Sequence, residues 1–274
     1  MAPEAEKTAL TVGVVLTSDP EGSRASLHAF CKALSEATGF EVHGLGGWNY
    51  NTLLEALETG EVDLGWLPPL VAMRATGRAR VMPIVLPVRN GASSYMTALF
   101  SPKGSSLREI GDLQELRAAW VDRQSAAGYI VLRAHLRSIG VDLDRAFREN
   151  LFFGSHGEVA RAVLQGSADV GATFVHVEPD PSHPRGERVV RAGWGEADVQ
   201  VITCAGPIPA DVMAASVRVP VSSMRKLQRA LVDSGDSELG RAARVLFGAE
   251  GFVVARSEHL DPLAKLIARH EQEP

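Results

Sequence analysis

Sulfur is scarce in this sequence. Two cysteines, Cys31 and Cys204, stand among 274 residues, with no Cys-x-x-Cys pair. That excludes a disulfide scaffold; a single bridge would need the fold to bring the two together, and two buried thiols are the simpler expectation. Long apolar runs are missing too: no segment approaches the roughly 18 residues that a membrane helix takes. There is no long basic run, and the formal net charge of −5 argues against a nucleic-acid partner. A local anion site stays open, because such sites use backbone N–H groups and few cations. The eight histidines show no His-x-x-x-His spacing, so no zinc motif is present. Neither a Gly-x-x-x-x-Gly-Lys-[Ser/Thr] phosphate loop nor a Gly-x-Ser-x-Gly elbow occurs. Cys31 sits mid-helix among apolar residues, which favours packing over nucleophilic attack. No enzyme, metal or cofactor is indicated.

What is present is alternation. "ALTVGVVL" (Ala9–Leu16) reads as a buried strand. Ser18 or Asp19, with Pro20 after it, can cap a helix carrying Leu27, Phe30, Cys31 and Leu34 and stopping near Gly39. "EVHGL" is a strand, and Asn49 or Asn51 starts a helix through Leu53, Leu54 and Leu57 to Gly60. "VDLGWL", "PPLVAMRAT" and "ARVMPIVLPV" continue the strand–helix–strand order. The rhythm then restarts with "SYMTALFSP", "RAAWVD", "SAAGYIVLRAHLRSIG", "NLFFGS", "HGEVARAVLQG", "ADVGATFV" and "VQVITCAG". A mainly helical tail follows. "EPDPSHPRGERV" reads as an exposed loop. This is an α/β chain of two units with no clear sequence repeat between them.

Several stretches carry a resemblance. "NYNTLLEALETGEVDLGWLPPLVAMRA", "ASSYMTALF", "LREIGDLQELRAAWVDRQSAAGYIVLRAHLRSIGVD", "FFGSHGEVARAVLQGSADVGAT", "GPIPADVMAASVRVP" and "LFGAEGFVVARSEHLDPLAKL" occur in that order. Together they resemble the phosphate/phosphonate-binding family of ABC-transporter substrate-binding proteins, which have a two-lobed type 2 periplasmic-binding-protein fold. The resemblance implies two α/β lobes, a hinge and a ligand cleft between the lobes. Lobe 1 would be 1–98 with 203–274, and lobe 2 would be 99–202. Hinge crossings would fall near Leu99–Phe100 and Ile202–Cys204, with the C-terminal helices back on the first lobe.

The same resemblance supplies candidate ligand residues. The family's Ser-x-Ser-Gly loop opens a second-lobe helix and holds phosphorus oxygens; here it reads Ser125, Ala126, Ala127, Gly128, so one hydroxyl is replaced by Ala127. The physics is that of a helix N-terminus, with unpaired N–H donors and a positive dipole end. An ordinary N-cap serine would look the same. Tyr50 and Tyr95 match cleft tyrosines, neutral donors with a flat apolar wall. Tyr129 is expected to pack into its helix face, and Trp48 to sit at the rim. His156 matches a family histidine at another helix start. At His176 related phosphonate binders carry an acid suited to a ligand amine, and Asp211 matches a second acidic position or caps a turn. The histidine at 176 in place of an acid argues against a simple aminophosphonate. Thr17 and Ser18 follow the first strand and offer hydroxyls to the same mouth.

The resemblance implies a monomer that captures a small oxyanion, such as phosphate, phosphite or a phosphonate, and delivers it to ABC-transporter membrane subunits. "MAPEAEKTAL" is polar and acidic and shows no leader. It fits a cytoplasmic protein, or equally a periplasmic or membrane-associated one whose leader was removed. Two alternatives use the same fold. One is a cytoplasmic sensor or regulatory domain. The other is an enzyme on a small organic acid, with His156, His176 or Asp211 as acid or base.

Overall fold

Leu10, Val12 and Val14 alternate along Ala9–Val14 (β1), and all three are buried. The computed structural model describes residues 8–15, 20–47, 49–182 and 186–272. Thr17, Ser18, Asp19 and Trp48 lie outside the described residues. After β1 come α1 (Pro20–Thr38), β2 (Glu41–Gly46), α2 (Tyr50–Thr59), β3 (Leu64–Leu67), α3 (Pro69–Gly77) and β4 (Val81–Val88). The chain continues through β5 (Ser94–Pro102), β6 (Arg117–Trp120), α4 (Val131–Ser138), α5 (Leu143–Ala146), β7 (Glu149–Phe152), α6 (His156–Leu164), β8 (Val170–Pro179), β9 (Glu187–Ala192) and β10 (Val199–Pro209). It ends with β11 (Val212–Ser216), α7 (Val221–Val232), α8 (Glu238–Phe247), β12 (Gly251–Val254) and α9 (Ser257–Gln272).

Two units result. Unit 1 takes the chain up to Ser93 together with Pro209–Leu260; unit 2 takes Ser94–Ile208 and the chain from Asp261 on. The divisions fall before β5 and at the end of β10. β5 bonds to β8 from Met96 to Phe100.

Unit 1 has a sheet of order β12-β4-β11-β3-β1-β2. β1 runs parallel to β2 and β3, while β11 lies antiparallel between β3 and β4. β11 is buried throughout and serves both faces. Met213 and Ala215 join the core under α1, α7 and α8, and Val212 and Ala214 join the core under α2 and α3. Its burial on both faces explains a continuous apolar stretch without alternation.

Unit 2 has a sheet of order β10-β5-β8-β6-β7, with β9 antiparallel to the outer half of β8. β9 corrects the expected loop: the extended segment begins at Glu187, and Val189 and Ala192 pack with Val175 and Ala98. Cys31 is buried in unit 1, while Cys204 in unit 2 is only half-buried, so the expectation of two buried thiols holds for Cys31 alone.

A short repeat links the two units. Gly60-Glu61-Val62-Asp63-Leu64-Gly65 and Gly166-Ser167-Ala168-Asp169-Val170-Gly171 each join a helix to a parallel strand. Gly60 and Gly166 end their helices at φ 77° and 76°, a conformation that glycine takes without strain. Asp63 Oδ2 accepts from the Thr11 N–H at 2.9 Å, and Asp169 Oδ2 from the Arg117 N–H at 2.8 Å. Each carboxylate thereby ties the incoming strand to the unit's first parallel strand. A Cβ at Gly65 would press on Leu57, and one at Gly171 on Val159 and Val163, so both helices lie against bare backbone.

Candidate functional site

In unit 2, two helices start from the carboxyl ends of the parallel strands β6 and β7. This is where open α/β sheets take ligands. The Ser125–Gly128 loop opens the first. Ser125 is its N-cap, and its Oγ accepts from the Gly128 N–H at 3.0 Å. Accepting that bond leaves the hydroxyl proton for another acceptor. The turn Ala126–Ile130 is wide: the Ile130 N–H reaches the Ser125 carbonyl at 3.0 Å, and the Val131 N–H reaches that of Ala126. Such i→i+5 turns recur at functional sites. Ala127 and Gly128 are buried, and a Cβ on Gly128 would overlap Val121. The glycine is therefore required by packing, whatever it does for a ligand. Thr97 Oγ1 donates to the Ala127 carbonyl at 2.6 Å and fixes the loop to β5.

His156 opens α6 behind its N-cap Ser155. Its Nδ1 shares a 2.8 Å hydrogen bond with Thr173 Oγ1. With the hydroxyl donating, the ring proton sits on Nε2, which is then a neutral donor. Burial holds the pKa below the usual histidine range, against the opposing pull of the Asp122 charge. The His156 ring meets Phe174 edge-on at 5.0 Å, Phe174 meets His176 at 5.9 Å, and His176 meets Tyr95 at 6.1 Å. Thus Tyr95, His156 and His176 are brought into one row of rings in unit 2. Thr97, Thr173, Phe174 and Asp122 belong to this neighbourhood and were not singled out from the sequence. Phe174 and Thr173 were legible only as strand residues. Tyr129 packs edge-on against Trp120 at 5.4 Å, on the helix face as expected.

Tyr50 and Asp211 are in unit 1. Asn49 caps α2 by accepting from the Thr52 N–H at 3.0 Å, which leaves Tyr50 as the first helical residue, 36% exposed. Its pKa is raised, first by burial and then by the negative charge of Asp211. Asp211 accepts from Arg89 Nη2 at 2.9 Å. Arg89 also donates to the Phe247 carbonyl at 2.8 Å and lies 5.9 Å over the Trp66 ring. Asp211 thus caps no turn; an anchored guanidinium answers its charge. Among the described residues no group of three or more His, Cys, Asp or Glu could hold a metal ion, and no helix is long and apolar enough to cross a membrane.

Residues 12–260 match the family model described as ABC transporter, phosphonate, periplasmic substrate-binding protein. The chain belongs to this phosphonate-binding family. The family is one of transport proteins, not an enzyme class, and its members are periplasmic. Among curated relatives, the phosphate-import protein PhnD of Mycolicibacterium smegmatis is 24% identical over 176 residues, 60% of this chain and 54% of that protein. The phosphonates-binding periplasmic protein of Escherichia coli is 23% identical over 133 residues, 47% of this chain and 39% of that protein. The chain thus spans about half or less of those relatives' length. Among solved structures, PhnD1 from Prochlorococcus marinus in complex with methylphosphonate aligns with TM-score 0.65 at 17% identity, covering 98% of this chain and 100% of that one. XAC2383 from Xanthomonas citri bound to ATP aligns with TM-score 0.70 at 19% identity, covering 97% and 98%. These likenesses show the fold: mixed α/β, as in periplasmic binding proteins of this family.

Proposed function

We propose that this chain captures a small phosphorus oxyanion, such as phosphate, phosphite or a phosphonate, for delivery to the membrane subunits of an ABC-type importer. One observation carries the reading: at the carboxyl ends of β6 and β7, the hydroxyl-capped start of the Ser125 helix and the neutral ring of His156 gather on one unit. First-turn N–H groups, a serine hydroxyl and a neutral imidazole suit an oxyanion without needing a cation. In this reading the Ser125 hydroxyl, the N–H groups of Ala126 and Ala127 and the His156 ring hold the phosphorus oxygens, Gly128 closes the cap on Ser125, and Tyr95 and His176 flank them. The protein would act as a periplasmic monomer. Calorimetry with phosphate, phosphite, sulfate and methylphosphonate tests the reading. Heat of binding and a rise in melting temperature are expected for at least one phosphorus oxyanion. Absence of both across the panel would refute it. Ser125→Ala is expected to weaken the bound oxyanion by about 1–3 kcal/mol, the worth of a hydrogen bond to a charged group. Unchanged affinity removes the Ser125 hydroxyl from the site.

A further inference from the structure

We infer that the ligand carries a second anionic group beyond its phosphoryl end, and that Arg191 on β9 recognises it. The inference rests on the oxyanion reading above and extends it to the rest of the ligand.

The register of unit 2 carries the argument. Facing residues in an antiparallel pair share one face of the sheet. Thr97 faces Phe174, and His176 faces Arg191. Phe174 and His176, two apart on β8, therefore present one face together, and Thr97 and Arg191 join them from the flanking strands. Thr97 touches the Ser125 loop through the Ala127 carbonyl, so this face begins at the proposed cradle. His176 lies one strand repeat, about 7 Å, beyond Phe174, with Arg191 beside it. A ligand held at the cradle and extending along the strip would meet Arg191 at its far end.

The charges along this strip favour an anion. Glu178 faces Arg188 in the same ladder, and the two pair at 3.4 Å, so that carboxylate is answered. Arg191 is exposed, and no carboxylate pairs with it among the described residues. The cradle end supplies only neutral donors, the Ser125 hydroxyl and the His156 ring, and exposed Asp122 is the acid acting on His156. The unanswered cation on the strip, among the described residues, is thus the Arg191 guanidinium, whose forked donors match a carboxylate or phosphoryl group. An ammonium in that position would meet His176 and a like charge.

A series of equal length tests the inference by calorimetry on the full chain: 3-phosphonopropionate, propylphosphonate and 2-aminoethylphosphonate. The expected order of affinity is carboxylate, then neutral, then ammonium, with the carboxylate ahead of the neutral compound by about tenfold. Ethane-1,2-diphosphonate, run beside them, separates a second phosphoryl group from a carboxylate as the preferred partner. Arg191→Gln should close the gap between 3-phosphonopropionate and propylphosphonate, and Arg191→Lys should restore part of it. If propylphosphonate or the amine binds as tightly as both compounds with a second anionic group, the inference is overturned. It is also overturned if the gap is the same in Arg191→Gln. In either case binding of propylphosphonate leaves the oxyanion reading standing. If no phosphorus compound binds, that reading fails and takes the inference with it.

Discussion

Burial decides the chemistry of single residues here. Cys31 lies on the core-facing side of α1, and burial pushes its thiol up to about 12. The thiolate, the reactive form, is therefore negligible in the native state at neutral pH. A maleimide at pH 7 is expected to leave Cys31 unmodified in the native protein and to modify it after unfolding in guanidinium, as read by mass spectrometry of peptides; native labelling would contradict its burial. His156 follows the same logic with a titration in reach. Unfolded, it titrates near about 6.5; folded, burial keeps it lower. As pH falls through the interval between the two values, the unfolded chain binds the proton first, so stability declines and then levels off below the folded value. His156→Gln is expected to make denaturant stability less steep as pH falls below about 6.5. Some slope remains, because burial also lowers the pKa of His135. An identical slope in the variant would show that His156 is not held neutral by burial.

At the scale of elements, strong local signals were legible and context-dependent ones were not. Asn49 and Gly60 bracket α2, as the sequence suggested, because an N-cap acceptor and a left-handed glycine are local requirements. The start of the Ser125 helix was legible for the same reason, though not its wide first turn. β9 was hidden by the proline-rich segment before it, yet Val189 and Val190 were a β-branched signal. β11 was hidden differently: "VMAAS" is short and rich in alanine, and only its place between β3 and β4 makes it a strand. The two Gly-x-[Val/Ala]-Asp-[Leu/Val]-Gly segments were visible as letters, but their likeness gains meaning from the contacts of Asp63, Asp169, Gly65 and Gly171. Gly171→Ala tests that meaning. Its Cβ would lie 2.8 Å from Val163 Cγ2 and 2.9 Å from Val159 Cγ1, closer than packed carbons approach. A loss of about 1–3 kcal/mol in denaturant stability is expected from this overpacking. A stability change below about 0.5 kcal/mol, the size of an ordinary surface substitution, would mean that α6 shifts freely and that the close approach is unimportant.

The whole molecule is built by insertion, and this was the least legible feature. The six strands of the unit 2 sheet lie between Ser94 and Pro209. Unit 1 is closed only when the chain returns, because β11 fills the place between β3 and β4 and β12 adds the edge next to β4. The sequence rhythm of strand and helix looked complete by the end of β4, so nothing local signalled that a central strand was still missing. The consequence is an asymmetry in folding. A fragment 94–208 is expected to melt cooperatively by circular dichroism. A fragment 1–93 is not, since without β11 the buried edges of β3 and β4 face each other across a strand's width with unpaired N–H and C=O groups. Adding fragment 209–260 supplies β11, α7, α8 and β12, and with them the helices that cover Phe30 and Leu34. The mixture should then gain a cooperative transition that neither piece shows alone. A cooperative melt of 1–93 by itself would mean that β3 and β4 can pair directly, and that the central position of β11 is not what holds unit 1 together.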